Sequence, residues 1–202
     1  MKQFIILLSM LISSVAIAQK HNIVNASIAL RNAKKATGDE IGTLLSEAKD
    51  YIDLAYSNES TSNEAKMWNY RAPIYLEIAL KKPDLDNKAI LKATDSYIKC
   101  LSKGKKDRII VRKWTPKEDV LAGLIQCGYK LFNLGIDKYN EGDYQSSLDF
   151  YEKIFDIVPF DEEDQLKRGN ITEETILYNS FFSSSKLKND SKSKELLQKL
   201  ID

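Results

Sequence analysis

LGIDKYNEGDYQSSLDFYEKIFDIVP, from Leu134 to Pro159, reads as two helices joined by a tight turn, and the rest of the chain is read by asking whether this unit recurs. Gly142 permits the positive φ that ends a helix, so Gly142-Asp143-Tyr144 is the predicted turn. Ser147 is small enough for the second helix to lie close against Gly135 of the first. Tyr151 and Ile154 follow at helical spacing and stay on the face of Ser147.

On either side of this unit, the same alternation of helix and turn covers the chain after Gln19. A first helix over 22–35 carries Val24, Ile28, Ala29 and Ala33 at helical spacing, and a second over 39–57 carries Leu44, Ala48, Ile52 and Ala55. A helix from Ser62 brings Trp68, Ala72 and Tyr75 to one face, with Pro73 inside it removing one hydrogen bond. Its partner starts at Asn87 and places Ala93, Tyr97 and Cys100 as Ser147, Tyr151 and Ile154 are placed. Helix resumes at Pro116 through Val120, Leu121, Leu124 and Ile125, and a final pair has Leu177, Phe181 and Ser184, then Ser193, Leu197 and Leu200, on its inner faces. Between these lie the basic loop 103–113, with a short extended core at Ile109-Ile110-Val111, and a long loop over 160–171 that opens with the acidic stretch 161–164. Thr37-x-x-Glu40, Thr61-x-x-Glu64, Thr115-x-x-Glu118 and Asn170-x-x-Glu173 each place a capping oxygen three residues before an acid at a helix start.

The central unit resembles a tetratricopeptide repeat: Leu134 and Gly135 fall on the small-residue crossing of the first helix, and Pro159 closes the second. Trp68-Asn69-Tyr70-Arg71-Ala72 is similar to the openings of repeats in exported proteins of Bacteroidetes-type bacteria. The small second-helix positions Ala48, Ala93, Ser147 and Ser193 lie 45, 54 and 46 residues apart, against about 34 in a strict array, and the long loops account for the excess. The expected fold is therefore all-α, a helical-hairpin solenoid of about four pairs spanning 22–57, 62–102, 116–158 and 172–202.

The first residues bear on compartment. Lys2, an apolar run from Phe4 to Ile17 and Ala16-Ile17-Ala18 form the layout of a signal peptide over 1–18. Gln19-Lys20-His21-Asn22 follows too soon for the apolar segment of about 20 residues that a membrane anchor needs. The expected mature domain, 19–202, is exported, periplasmic or secreted from a Gram-negative bacterium, with no membrane span. Cleavage removes Lys2 alone and leaves 29 Lys plus Arg against 29 Asp plus Glu, a balance unlike that of a nucleic-acid binder. Cys100 and Cys127 fall on neighbouring helices of the expected stack, where either a disulfide or two buried thiols would fit.

His21 is the only histidine, which argues against a Ser-His-Asp or Cys-His relay. Neither a zinc-type Cys/His spacing nor a glycine-rich phosphate loop is present, so the expectation is a non-enzyme without cofactor or metal. What the resemblance implies is a concave groove lined by first helices. Carried over by position, its contact residues include Lys66 and Asn69, then Tyr129, Phe132, Ile136, Tyr139 and Asn140, then Tyr178 and Phe182. Such a wall is aromatic, as at many interfaces. Periodicity alone does not separate a concave face from a core between helices, so both readings of these aromatics stand. Lys66 and Asn69 are of the type that opens a carboxylate clamp, which Tyr129 and Phe132 do not continue. The expected function is a scaffold binding a peptide or partner protein; the alternative is a helical small-ligand or glycan-binding envelope protein. The last helix, through Leu196, Leu197, Leu200 and Ile201, is a candidate edge for self-association, with Leu196 and Ile201 expected towards its exposed margins.

Overall fold

The computed structural model describes residues 20–201, so the predicted leader and its cleavage site lie outside the described residues. Those residues contain nine α-helices and divide, between Lys117 and Glu118, into two compact units. The fold is all-α with consecutive helices in contact, consistent with an array of helical hairpins.

The first unit holds α1 (20–33), α2 (Glu40–Ser57), α3 (Ala65–Lys81) and α4 (Ala89–Leu101). α3 packs against both α2 and α4, which is why its buried residues Met67, Arg71, Ala72, Ile74, Tyr75, Leu76, Ile78 and Ala79 occupy most of its circumference. The helix runs unbroken through Pro73, whose missing N–H leaves the Asn69 carbonyl without its usual donor. On α4, Ala93, Tyr97 and Cys100 are all buried, as their spacing predicts. α2 buries Leu45, Ala48, Ile52 and Ala55. The stripe predicted there is right except that Leu45 takes the place of Leu44.

α1 is turned relative to its predicted face. Ile23, Ala26, Ala29, Leu30 and Ala33 are buried, while Val24 and Ile28 are exposed. Three alanines on the buried side let a neighbour approach closely. The basic loop is likewise compact instead of extended. A single antiparallel bridge joins Lys103 to Ile109, Ile110 N–H donates to the Ser102 carbonyl at 3.0 Å, and Val111 is buried.

The second unit holds α5 (Lys117–Glu141), α6 (Tyr144–Phe155), α7 (Gln165–Arg168), α8 (Glu173–Lys186) and α9 (Asp190–Ile201). The turn before α6 is as predicted: Gly142 has φ +81°, and Asp143 caps α6 by accepting from Ser146 N–H at 3.2 Å. Ser147, Tyr151 and Ile154 are buried. Small polar residues then let successive helices close on one another. Ser147 Oγ donates to the Gly135 carbonyl at 2.8 Å and lies 2.9 Å from Ser183 Oγ, and Ser184 Oγ lies 2.8 Å from Ser193 Oγ. The apolar centre at the far end is Leu148, Leu177 and Leu196, with Phe155, Phe181, Leu187 and Leu200 packed around it.

Leu196 is thus a core residue at 1% exposure, whereas Leu197 is 44% and Ile201 72% exposed. The expected margin on α9 is corrected: Leu197 replaces Leu196 beside Ile201, because α8 covers the face on which Leu196 points. The acidic loop also gains structure. One-turn α7 buries Leu166, and Asp161 accepts from the Gln165 and Leu166 N–H groups at 2.8 Å each.

Three of the four predicted capping boxes do not form as written, although all four mark a helix start to within four residues. α2 begins at Glu40 and α3 at Ala65 without a side-chain cap. Thr61 is buried and donates to the Ala55 carbonyl at 2.6 Å, closing the end of α2 instead of opening α3. Thr115 donates to the side chain of Asn69 at 2.7 Å. At α8 the cap is Thr172, which accepts from Thr175 N–H at 3.1 Å, and Asn170 takes a left-handed turn at φ +62°.

Cys100 and Cys127 are buried free thiols. Burial pushes the Cys100 thiol from 9.0 up to about 12 and the Tyr151 phenol from 10.0 up to about 12, and burial with the Asp53 hydrogen bond raises Tyr75 further. Each group is neutral when folded and releases its proton earlier when unfolded, so stability is full below pH 9.0 and falls as pH rises towards 12. Each group contributes a slope of up to about 1.4 kcal/mol per pH unit. Urea midpoints at pH 8, 10 and 11 are expected to decline progressively; a flat profile across that range would contradict the burial of these groups.

Candidate functional site

A cavity of about 280 Å³ lies among α5, α6 and α8, walled by Ile136, Tyr139 and Asn140, by Tyr151, and by Asn179 and Phe182. The local sequence explains its shape. Gly135 has no side chain, and a Cβ there would come within 2.6 Å of the Tyr151 ring, so Tyr151 lies across the gap that the glycine leaves. One turn further along α5, Tyr139 is braced edge-on against Tyr144 at 5.2 Å. On α8, Phe182 is held by edge contacts with Tyr178 at 4.6 Å and Phe181 at 5.6 Å.

All six walls are uncharged, and the raised Tyr151 pKa keeps that phenol neutral. The carboxamides of Asn140 and Asn179 make no hydrogen bond among the described residues. Each offers a donor and an acceptor, the complement of a peptide group. The arrangement suits an apolar side chain flanked by a polar backbone; it offers no nucleophile paired with a base. Among the described residues no three His, Cys, Asp or Glu side chains are grouped to hold a metal ion, and no helix is long and apolar enough to cross a membrane.

Of the residues predicted from sequence, the structure brings Ile136, Tyr139, Asn140 and Phe182 together in this cavity. Tyr178 is 55% exposed and extends the aromatic surface from Phe182. Phe132 packs edge-on against Tyr151 at 5.7 Å and braces that ring. Tyr129 points elsewhere. Its hydroxyl donates to the Gln165 carbonyl at 2.6 Å, and its ring lies so close over Gly169 that a Cβ there would meet it at 2.5 Å. Tyr129 therefore fastens the α7 turn and leaves the cavity wall to others. Lys66 and Asn69 belong to α3 of the first unit, where Asn69 receives the Thr115 hydroxyl.

Tyr151 and Asn179 are the walls that positional reading misses. Tyr151 is legible only as a core position of the second helix, and Asn179 adjoins the contact position Tyr178. The absence of a side chain at Gly135 is the available signal that one edge of Tyr151 faces a gap. Compared with known proteins, the chain matches no family model, no curated protein and no solved structure.

Proposed function

We propose that the hairpins are tetratricopeptide-like and that the protein is an exported, non-enzymatic scaffold that binds an extended peptide or partner protein at the cavity among α5, α6 and α8. The observation that carries this reading is a neutral aromatic cavity bordered by two unengaged carboxamides. The two carboxamides, each the complement of a peptide group, support a peptide over the alternative of a small ligand or glycan, and about 280 Å³ accommodates an anchoring side chain. Asn140 and Asn179 then pair with the peptide groups on either side of that anchor. Any self-association through α9 falls to Leu197 and Ile201, its exposed apolar pair.

The reading is tested by selecting peptides from a random displayed library on the chain beginning at Gln19, then measuring the best binder by calorimetry against wild type and the Tyr139→Ala, Phe182→Ala double variant. Affinity is expected to fall about tenfold or more, since buried aromatics dominate interface energies. Undiminished peptide binding by the folded double variant would overturn it. Saturable binding of neutral oligosaccharides in the cavity without any peptide binder would favour the alternative. Export is checked separately by N-terminal sequencing, which is expected to find Gln19.

A further inference from the structure

The positive charge of this chain is concentrated in one place. Residues 20–117 carry 19 Lys plus Arg against 12 Asp plus Glu, and residues 118–202 carry 10 against 17. Such asymmetry between the halves of a balanced chain points to a charged partner. Most of the excess in the first unit comes from the loop 103–114, which holds six basic residues and a single acid, Asp107. That acid is already paired with Lys103 at 2.9 Å. Lys106, Arg108, Arg112 and Lys113 are exposed and make no hydrogen bond or ion pair among the described residues. Like charges held this close repel one another, and a counter-charged partner relieves that repulsion.

The backbone of the loop is held by its own hydrogen bonds. Gly104 N–H donates to the Arg108 carbonyl at 2.9 Å, and Trp114 N–H donates to the Val111 carbonyl at 2.9 Å. Val111 is fully buried, and Thr115, bonded to Asn69, ties the end of the loop to α3. Lys106 and Asp107 take left-handed conformations at φ +62° and +56°, which non-glycine residues keep only where their surroundings impose them. Trp114 follows directly on Arg112 and Lys113 and is 43% exposed. Its indole has an apolar body and a polar N–H, a combination favoured at the boundary between water and hydrocarbon. A single ring gives no succession of stacking platforms for nucleic-acid bases. One interfacial ring beside a polybasic segment suits the surface of an anionic bilayer.

We propose that the loop 103–114 docks on the surface of an anionic phospholipid bilayer, with Arg108, Arg112 and Lys113 meeting lipid phosphates and the Trp114 ring entering the headgroup layer. The contact is peripheral. It uses none of the residues of the peptide cavity, so each proposal stands or falls without the other.

The test measures co-sedimentation of the chain beginning at Gln19 with two kinds of vesicle, phosphatidylcholine alone and phosphatidylcholine with phosphatidylglycerol in equal parts, and follows tryptophan emission. The anionic vesicles are expected to bind the protein about tenfold or more tighter than the neutral ones. That binding is expected to be lost in about 0.5 M NaCl, where exposed charges are screened. Emission is expected to move to shorter wavelength on the anionic vesicles, and Trp114→Phe, which leaves Trp68 as the only tryptophan, is expected to abolish the shift. Arg108→Gln, Arg112→Gln and Lys113→Gln together are expected to weaken binding about a hundredfold, the combined effect of three surface cations. All three side chains are exposed and unpaired among the described residues, so the urea midpoint of this variant is expected to match wild type. No binding, equal binding to both vesicles, binding that survives high salt, or a triple variant weakened less than about tenfold would each overturn the proposal. So would an emission shift retained by Trp114→Phe, or release from the anionic vesicles by duplex DNA at equal phosphate concentration.

Discussion

Tyr75→Ala is expected to destabilise the first unit by about 4 kcal/mol, within the range for removing a buried aromatic ring. Tyr75 is fully buried at 0% exposure and has one of the largest fully buried side chains. Three losses coincide at this position. The ring volume becomes a cavity between α3 and its neighbours. Asp53 loses the phenol donor and keeps only Lys49 on its other oxygen. Arg71 loses one of the rings against which its charge rests. These terms share partners, so they do not add independently. Tyr75→Phe separates them, since it retains the ring and removes only the hydroxyl; its expected cost is about 1 kcal/mol. Urea denaturation of both variants checks the ordering. A Tyr75→Ala protein within about 1 kcal/mol of wild type would contradict the packing described for α3.

Gly135→Ala is expected to destabilise the second unit by about 1 to 3 kcal/mol, with Gly135→Leu at or beyond the upper end. The sign is the informative part. In an unobstructed helix interior, replacing glycine by alanine stabilises by roughly 1 kcal/mol. Here a Cβ would lie 2.6 Å and 2.7 Å from two atoms of the Tyr151 ring. That ring is itself buried and has Phe132 against it, so it can yield only by moving into the cavity that it walls. Forcing α5 and α6 apart would also stretch the bond from Ser147 Oγ to the Gly135 carbonyl. Because Tyr151 is a wall of the cavity, the same substitution is expected to weaken peptide binding. Thermal melts of the alanine variant decide the matter: an unchanged or raised midpoint would show that the two helices do not cross closely at Gly135.

Helical periodicity and the central turn are written locally in the chain. Helix-forming patterns and the positive φ of Gly142 depend on near neighbours alone, and the small, large and apolar order of Ser147, Tyr151 and Ile154 states directly which face is inward. Four of the six walls of the candidate site, Ile136, Tyr139, Asn140 and Phe182, are legible from the positions that the repeat resemblance marks, whereas Tyr151 and Asn179 are not. Which of two adjacent apolar positions is covered is settled only when the helices pack. Val24 and Ile28 give way to Ile23, Ala26 and Leu30 on α1, and Leu197 gives way to Leu196 on α9, because an apolar arc does not specify the neighbour that will lie on it. Packing also settles where polar groups find their hydrogen bonds. Thr61 has an acid at capping distance in sequence, but the Ala55 carbonyl is the acceptor that folding brings within 2.6 Å. Tyr129 reaches Gln165, 36 residues away, by the same principle. The burial of Arg71 is the clearest case: nothing in its local sequence marks it as enclosed, and only the convergence of α2, α3 and α4 surrounds its charge with rings and leaves one edge of its guanidinium without an acceptor.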